Sequence, residues 1–138
     1  MPDRVMNDVF ADTFYYYALL SPSDATHQQA IAITPTLSAR IVTTAWVVAE
    51  LAAAFSAPPR RTRCLDLIDH LYADPQITVT PPSQELFDAG LALYRSRPDK
   101  SWSLTDCISF IVMEREGIAE ALTGDHHFEQ AGFTALLK

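Results

Sequence analysis

Four acidic residues stand in positions where their chemistry needs an explanation. Asp12 follows a short apolar segment, Glu50 is the one ionisable residue of the run 45–55, and Asp106 and Asp125 lie in and after a predicted helix. Four carboxylates brought together repel one another and cannot all stay ionised without cations. Oxygen donors of this kind select hard divalent ions such as magnesium or manganese. Such an ion activates a water and stabilises both oxygens of a phosphodiester displacement, so convergence of the four acids would predict a metal-dependent nuclease.

Three of the acids also have a simpler structural interpretation. Asp12 lies at a predicted strand-to-helix corner, where aspartate is a favoured N-cap. Asp106 is the third residue after Ser103, so the two can form a capping box at the positive end of the helix dipole. Asp125 follows Gly124, which is a common turn arrangement. None of these three positions predicts a function by itself.

Glu50 is the most informative of the four. The segment Ala45 to Phe55 contains ten apolar residues out of eleven, which predicts a helix buried on most of its faces. An ionised carboxylate on such a helix must be neutralised, paired, or placed at a cleft that a cation can reach. The alternative is that Glu50 occupies the one exposed stripe. We interpret it as a residue of a site.

Strand-like and helix-like segments alternate through the chain. The predicted strands are Val5 to Ala11, Arg40 to Thr43, Ile77 to Thr80, Ala119 to Thr123 and a closing segment Phe133 to Leu137. Helices are predicted to begin near Thr13, Ala25, Ala45, Arg60, Ser83, Ser103 and His126. This alternation predicts one α/β domain over residues 1–138, with a mostly parallel sheet and helices on both faces. Ligands bind beyond the carboxyl ends of such strands, where the acids would meet.

The helix predicted from Arg60 to Tyr72 is amphipathic, and its pattern directs Leu65 towards the core. The adjacent His126 and His127 are predicted to point to different sides of a helix, which is poor geometry for joint metal binding. The two cysteines fit no metal or redox spacing and are interpreted as small buried residues.

Composition limits the classes of partner. The formal net charge of −7 argues against broad electrostatic attraction to nucleic acid. Six of the ten Lys and Arg residues nevertheless lie in two clusters, which are either solvated helix ends or local phosphate contacts: Arg60-Arg61-x-Arg63 and Arg95-x-Arg97-x-x-Lys100. The sequence has no apolar run of membrane-span length, and its start lacks the layout of a signal peptide, so we expect a cytoplasmic protein.

The order of these motifs resembles the PIN domain, and within it the VapC-like toxin ribonucleases. The resemblance covers nearly the whole chain and rests on Ala11-Asp12, the apolar helix carrying Glu50, Ser103 to Phe110, Leu122 to Phe128, and Ala131 to Phe133. It implies a three-layer α/β/α fold with a five-stranded sheet, endoribonuclease activity, frequent dimerisation, and a Mg²⁺ or Mn²⁺ site at Asp12, Glu50, Asp106 and Asp125. Thr123 matches a position where the family often has a hydroxyl near the acids, and it joins them in the predicted catalytic set. The aromatic run 14–17 departs from the commoner aliphatic residues.

Other functions remain open at this stage. A free-standing RNA-processing nuclease would use the same residues, and a catalytically silent binding protein would keep the fold alone. Loss of one acid would favour the silent protein, but all four acids are present. A small-molecule-binding α/β protein is disfavoured because no glycine-rich phosphate loop follows the first strand.

The resemblance also implies a partner. An acidic cleft is a ready target for a bidentate arginine, and VapC-like toxins imply a small antitoxin whose basic, disordered tail folds along an apolar groove. We predict a homodimer or a toxin–antitoxin hetero-oligomer, with the groove bordered by Phe14, Tyr15, Trp46 and Phe55.

Overall fold

A parallel β-sheet organises the computed structural model, which describes residues 4–138. The sheet has five strands in the order β3-β2-β1-β4-β5, and every pairing is parallel. Consecutive residues of β1 and β2 are buried, and since consecutive strand residues point to opposite faces, both faces of the sheet are covered. The α/β prediction is therefore confirmed. The strands are β1 Val9–Ala11, β2 Ile41–Thr44, β3 Ile77–Thr80, β4 Glu120–Leu122 and β5 Thr134–Ala135.

Seven α-helices alternate with these strands within residues 4–138. They are α1 Thr13–Leu20, α2 His27–Ile33, α3 Ala45–Ala54, α4 Arg60–Ala73, α5 Gln84–Ser96, α6 Leu104–Glu116 and α7 His126–Gln130, with a 3₁₀ turn at Thr34–Thr36. In the described part of the chain, no helix combines the length and apolarity that crossing a bilayer needs. Gly117 ends α6 with φ 68°, a left-handed conformation that glycine adopts without strain.

The strand order creates a switch point beside β1. The chain runs from β1 outwards to β2 and β3, and then returns to place β4 on the other side of β1. Ala11 pairs with Leu122, so the residues that follow these strands, Asp12 and Thr123, leave the sheet next to each other. Crevices at such switch points are where open α/β sheets bind ligands.

Aromatic packing fixes α6 against α7. Phe110 makes edge-to-face contacts with Trp102 and Phe128, at centroid distances of 5.1 and 5.0 Å, and it also contacts Phe133 at 5.7 Å. Such pairs contribute about 0.5–1.5 kcal/mol each beyond their buried area. Asp106 lies one helical turn before Phe110, so this cluster sets where its carboxylate can point.

Two sequence predictions need correction in the fold. The first strand is shorter than predicted: Val5 forms only an isolated bridge to Leu37, and β1 begins at Val9 after a bend. Leu65 faces solvent, with 55 % of its surface exposed, while Cys64 and Leu71 are the buried residues of α4. The amphipathic pattern of α4 therefore holds at Leu71, but at the start of the helix Cys64 takes the buried position predicted for Leu65.

The groove predicted for a partner is also wrong in part. Tyr15 is buried, and its hydroxyl hydrogen-bonds Thr34 Oγ1 at 2.6 Å. Phe55 is buried as well, beneath Tyr17 and Arg60. The Tyr15 ring therefore cannot border a free groove, whereas Phe55, although buried, still lines a cleft. An apolar cleft of about 380 Å³ lies instead between α3 and α4, and its lining includes Ala52, Ala53, Leu65 and Ile68.

Candidate active site

One cleft collects the four predicted acids. Asp12 enters it from the end of β1, Glu50 from α3, Asp106 from the first turn of α6, and Asp125 from the start of α7. The cleft has a volume of about 260 Å³, and Thr13, Phe14, Tyr17 and Asp24 complete its lining. The structure therefore brings together all four acids that the sequence singled out, and their chemical roles stay predictions.

Asp12 lies deepest of the four, with 5 % of its surface exposed. It holds the N-cap position of α1 but makes no N-cap hydrogen bond to that helix; the backbone group that lowers its pKa is the adjacent Thr13 amide. Oδ2 accepts a hydrogen bond from the Thr123 hydroxyl at 2.9 Å instead. Burial, the charge of Asp106 and, to a smaller extent, that of Glu50 raise the pKa of Asp12 to about 7, while the Thr123 hydrogen bond acts in the opposite direction. Simple capping therefore does not explain this residue.

Asp106 forms the capping box predicted for α6 and also contacts α7. Its Oδ2 accepts from the Ser103 amide at 3.0 Å, and the Ser103 hydroxyl accepts from the Asp106 amide at 3.0 Å. The same Oδ2 lies 3.1 Å from Nδ1 of His127. Burial and the nearby Asp125 raise the pKa of Asp106, against the lowering effects of the Ser103 amide and His127. Capping and a place in the cleft are compatible here, because capping occupies one of the two carboxylate oxygens.

Thr123 and Gly124 set the position of Asp125. The Thr123 hydroxyl donates to Asp12 and accepts from the Asp125 amide at 3.0 Å, so one side chain holds two acids in register. Gly124 lets the Phe14 ring approach the backbone, since a Cβ at this position would lie 2.6 Å from Phe14 Cζ. Asp125 then caps α7 by accepting from the His127 amide at 2.9 Å.

Glu50 reaches the cleft for a different reason from the one predicted. The residue is exposed, and so are its neighbours Ala49, Ala52 and Ala53, so α3 is not buried on most of its faces. Only Val47 and Leu51 are fully buried in this helix. Alanine is compatible with either environment, so counting apolar residues overestimated the burial of α3. Glu50 lines the cleft from its solvent side and adds charge to the field around Asp12.

The two histidines were predicted to diverge, and that prediction is wrong. Their rings lie 4.5 Å apart, and ligand atoms from Asp125, His126 and His127 all fall within 4.8 Å of one another. Nδ1 of His127 lies 3.1 Å from Asp106 and 3.4 Å from Asp125. The prediction assumed the ideal helical angle between neighbouring side chains. In a helix of only five residues, the N-cap at Asp125 instead determines where the side chains of His126 and His127 point.

Asp24 is a fifth acid of the cleft that sequence reasoning missed. It lies in the connection between α1 and α2, and its Oδ2 accepts from the Thr26 amide at 3.0 Å. Aspartate commonly makes such a bond in turns, so the sequence predicts no more than a turn residue at Asp24. No periodic signal places this connection beside α3 and α6, so nothing in the local pattern could have identified Asp24.

The residues present fit a hard divalent cation. The donor set consists of carboxylate oxygens at the end of a parallel sheet, including one acid whose ionised form is disfavoured by its surroundings. Among the described residues, the donor atoms that lie within 4.8 Å of one another belong to Asp125, His126 and His127, so the four acids line one cleft without meeting at a single point. Thr13 Oγ1 is enclosed and has no hydrogen-bond partner among residues 4–138, which leaves a polar atom at the cleft for water or a ligand. A cation would offset the burial and the repulsion that together raise the pKa of Asp12 and of Asp106.

Comparison with known proteins gives two findings. A PIN domain profile matches residues 9–134. The chain also resembles the crystal structure of Mycobacterium tuberculosis VapC20, described as a toxin that cleaves the sarcin-ricin loop: the TM-score is 0.83 at 22 % sequence identity, over 91 % of this chain and 96 % of that one. No curated protein matches the sequence.

Proposed function

The chain belongs to the PIN domain family, and from that premise we propose that it is a divalent-metal-dependent endoribonuclease, acting as a single domain in the cytoplasm and serving as the toxin of a toxin–antitoxin pair. The observation that carries the proposal is the cleft, which the buried Asp12 shares with three other acids. The likeness to VapC20 supports RNA as the substrate class. A catalytically silent binding protein would have no need for this unfavourable cluster of charge.

Each residue of the cleft has a role in this proposal. Asp12, Glu50, Asp106 and Asp125 would hold Mg²⁺ or Mn²⁺. When bound, the ion supplies activation of the attacking water and stabilisation of charge on the phosphodiester. Thr123 is a positioning residue, because its hydroxyl bonds to Asp12 and to the amide of Asp125. His127 positions Asp106 and Asp125 in the same way, through Nδ1. Removing contacts of this kind from metal ligands typically lowers the metal affinity or the activity of a protein by about 10- to 100-fold.

Cleavage assays with controlled metal test this proposal. Purified protein is incubated with total bacterial RNA in Mg²⁺, in Mn²⁺ and in excess EDTA, and the new RNA ends are identified by their reactivity towards a kinase and a ligase. We expect cleavage with either ion, none in EDTA, and products with a 5′-phosphate and a 3′-hydroxyl. Full cleavage in EDTA, or cleavage by a preparation of the Asp12→Asn variant, would contradict the mechanism.

We place the antitoxin tail at the cleft between α3 and α4. Its lining is apolar, and Leu65, which contributes to that lining, is largely exposed. Phe55 links the two surfaces, since it lines this cleft and its ring lies 5.2 Å from Tyr17 of the acidic cleft. A tail that follows this path can deliver an arginine to the acids, where it would compete with the metal.

Co-expression with the neighbouring reading frame tests the partner. We expect a heteromeric complex on size exclusion, in which cleavage is suppressed and is partly restored by increasing Mg²⁺. Leu65→Glu should dissociate the complex, because it buries a charge against an apolar tail. Tyr94→Glu is the control, since Tyr94 is an exposed apolar residue on α5. A single species at the mass of this chain or its homodimer, with unchanged cleavage, would favour a free-standing ribonuclease.

A further inference from the structure

A second cleft continues from the acidic one. Tyr17 and Asp24 line both, so the two clefts share a wall. The second has a volume of about 470 Å³ and a polar lining, and we call it the basic cleft because it contains Arg60 and Arg63. Its lining residues are Tyr17, Leu20, Ser21, Pro22, Ser23, Asp24, Arg60 and Arg63.

The start of α4 explains why two arginines enter the basic cleft and a third does not. Arg60 and Arg63 are three residues apart and therefore share one face of the helix. Arg61 lies on a different face, and its guanidinium donates to the Ser56 carbonyl at 3.2 Å. The sequence cluster Arg60-Arg61-x-Arg63 thus splits into a pair at the basic cleft and one residue turned away from it.

The two arginines of the basic cleft are available for an anion. None of the ion pairs formed within residues 4–138 includes Arg60 or Arg63, whereas Arg40, Arg97 and Arg115 each bind a carboxylate. Arg60 is held in place without being neutralised: its guanidinium lies 4.3 Å above the Phe55 ring and donates to Ser21 Oγ at 3.3 Å. Both positive charges are therefore presented to whatever enters the cleft.

Tyr17 provides a flat surface at the junction of the two clefts. Its ring packs against the Phe55 ring, with the two centroids 5.2 Å apart, and Phe55 in turn contacts the Arg60 guanidinium. Of the surface of Tyr17, 37 % remains exposed. Exposed aromatic rings supported in this way are the usual stacking surfaces for bases of single-stranded RNA.

We propose that the basic cleft is an RNA-binding subsite next to the catalytic acids, in which Arg60 and Arg63 bind a backbone phosphate beside the scissile one and Tyr17 stacks on a base. The proposal rests on the ribonuclease function proposed above. The charge of the molecule explains the need for such a subsite: a chain of net charge −7 with an acidic active-site cleft repels an RNA backbone, and a local cationic surface offsets that repulsion beside the metal site.

Binding without cleavage tests the subsite directly. In the Asp12→Asn background with Mg²⁺ present, fluorescence anisotropy measures the affinity for a fluorescein-labelled single-stranded RNA 12-mer of mixed sequence. We expect Arg63→Ala to weaken binding about tenfold, as loss of a charged hydrogen bond does, and to lower the slope of log K against log salt by about 0.7. Arg61→Ala makes the same change in charge at a residue that does not line the basic cleft, so it is the matched control and should change affinity less than about twofold.

Cleavage by the active protein gives a second, independent measurement. Arg63→Ala should raise KM for ribosomal RNA about tenfold with little change in kcat, because the phosphate it contacts does not react. Tyr17→Leu should do the same, while Tyr17→Phe keeps the ring and should behave as the parent protein. Circular dichroism melting of each variant establishes that it is folded.

The possible outcomes separate the subsite from the overall function. If the parent protein cleaves no RNA, the ribonuclease proposal fails. If it cleaves RNA but Arg63→Ala and Arg61→Ala weaken binding equally, or neither does, the subsite is overturned and only general electrostatics remains. If RNA binding is unaffected while Arg63→Ala weakens a complex with the neighbouring gene product, the basic cleft binds protein, which also overturns the proposal.

Discussion

Replacing Asp12 with asparagine is expected to abolish RNA cleavage while leaving the protein at least as stable as before, with the largest gain in the metal-free protein near neutral pH. Asparagine has the shape of aspartate and can still accept the hydrogen bond from Thr123, but it carries no charge for a cation. Metal ions contribute several kcal/mol to phosphoryl chemistry, which corresponds to a rate loss of about 1,000-fold or more. Stability should not fall, because the change removes one charge from a crowded cluster.

Two further variants make this experiment specific. Asp106→Asn should lose cleavage to the same extent, with unfolding close to that of the parent, because asparagine can keep part of the capping contact with Ser103. Asp69→Asn changes charge identically on the exposed face of α4 and should leave cleavage within about twofold. The mechanism is wrong if either cleft variant cleaves RNA at the parent rate. Loss of cleavage that coincides with unfolding in the melting curve would instead show a structural defect.

The parts of the site that follow directly from strands or caps could be predicted from sequence. Asp12 and Asp125 come just after β1 and β4, and the parallel order of those strands brings them to one edge of the sheet. Asp106 was located by the capping box with Ser103, a local signal that the structure reproduces. In each case a short pattern determines the backbone, and the backbone determines where the carboxylate lies.

Features that depend on irregular chain or on residues of ambiguous polarity could not be predicted. Asp24 lies in a turn, and the sequence of a turn has no hydrophobic periodicity from which its position could be predicted. Its place at the cleft depends on how the turn packs against the other elements. The exposed face of α3 is built from alanines, which hydrophobicity counts as buried. The contact of His127 with Asp106 depends on how Asp125 caps a helix of five residues, which is a property of three elements together.

The proton balance of Asp12 predicts an unusual dependence of stability on pH in the metal-free protein. The pKa of this carboxyl rises from 3.8 to about 7 on folding, with burial as the largest cause. Below pH 4 the group is protonated in both states and favours neither. Between about pH 4 and 7 the unfolded chain releases the proton and the folded protein keeps it, so the free energy of unfolding falls as pH rises. The raised pKa of Asp106 acts in the same direction.

Urea unfolding at a series of pH values in EDTA measures this effect as the difference between the parent protein and Asp12→Asn. A shift of this size corresponds to at most about 4 kcal/mol, and the variant should lack that part of the decline. Thr123→Val removes the hydroxyl that lowers the pKa of Asp12, so the decline in its stability should extend to higher pH. Thr123→Ser keeps the donor and should follow the parent protein.

Saturating Mg²⁺ should restore stability above pH 7, because it binds the ionised folded state. Since the bound ion favours the carboxylate, binding near pH 6.5 should also release protons, which calorimetry detects as a dependence of the binding heat on the ionisation enthalpy of the buffer. Parallel pH profiles for the parent and Asp12→Asn, with no proton release, would mean that Asp12 is already ionised in the folded protein and that burial does not control its charge.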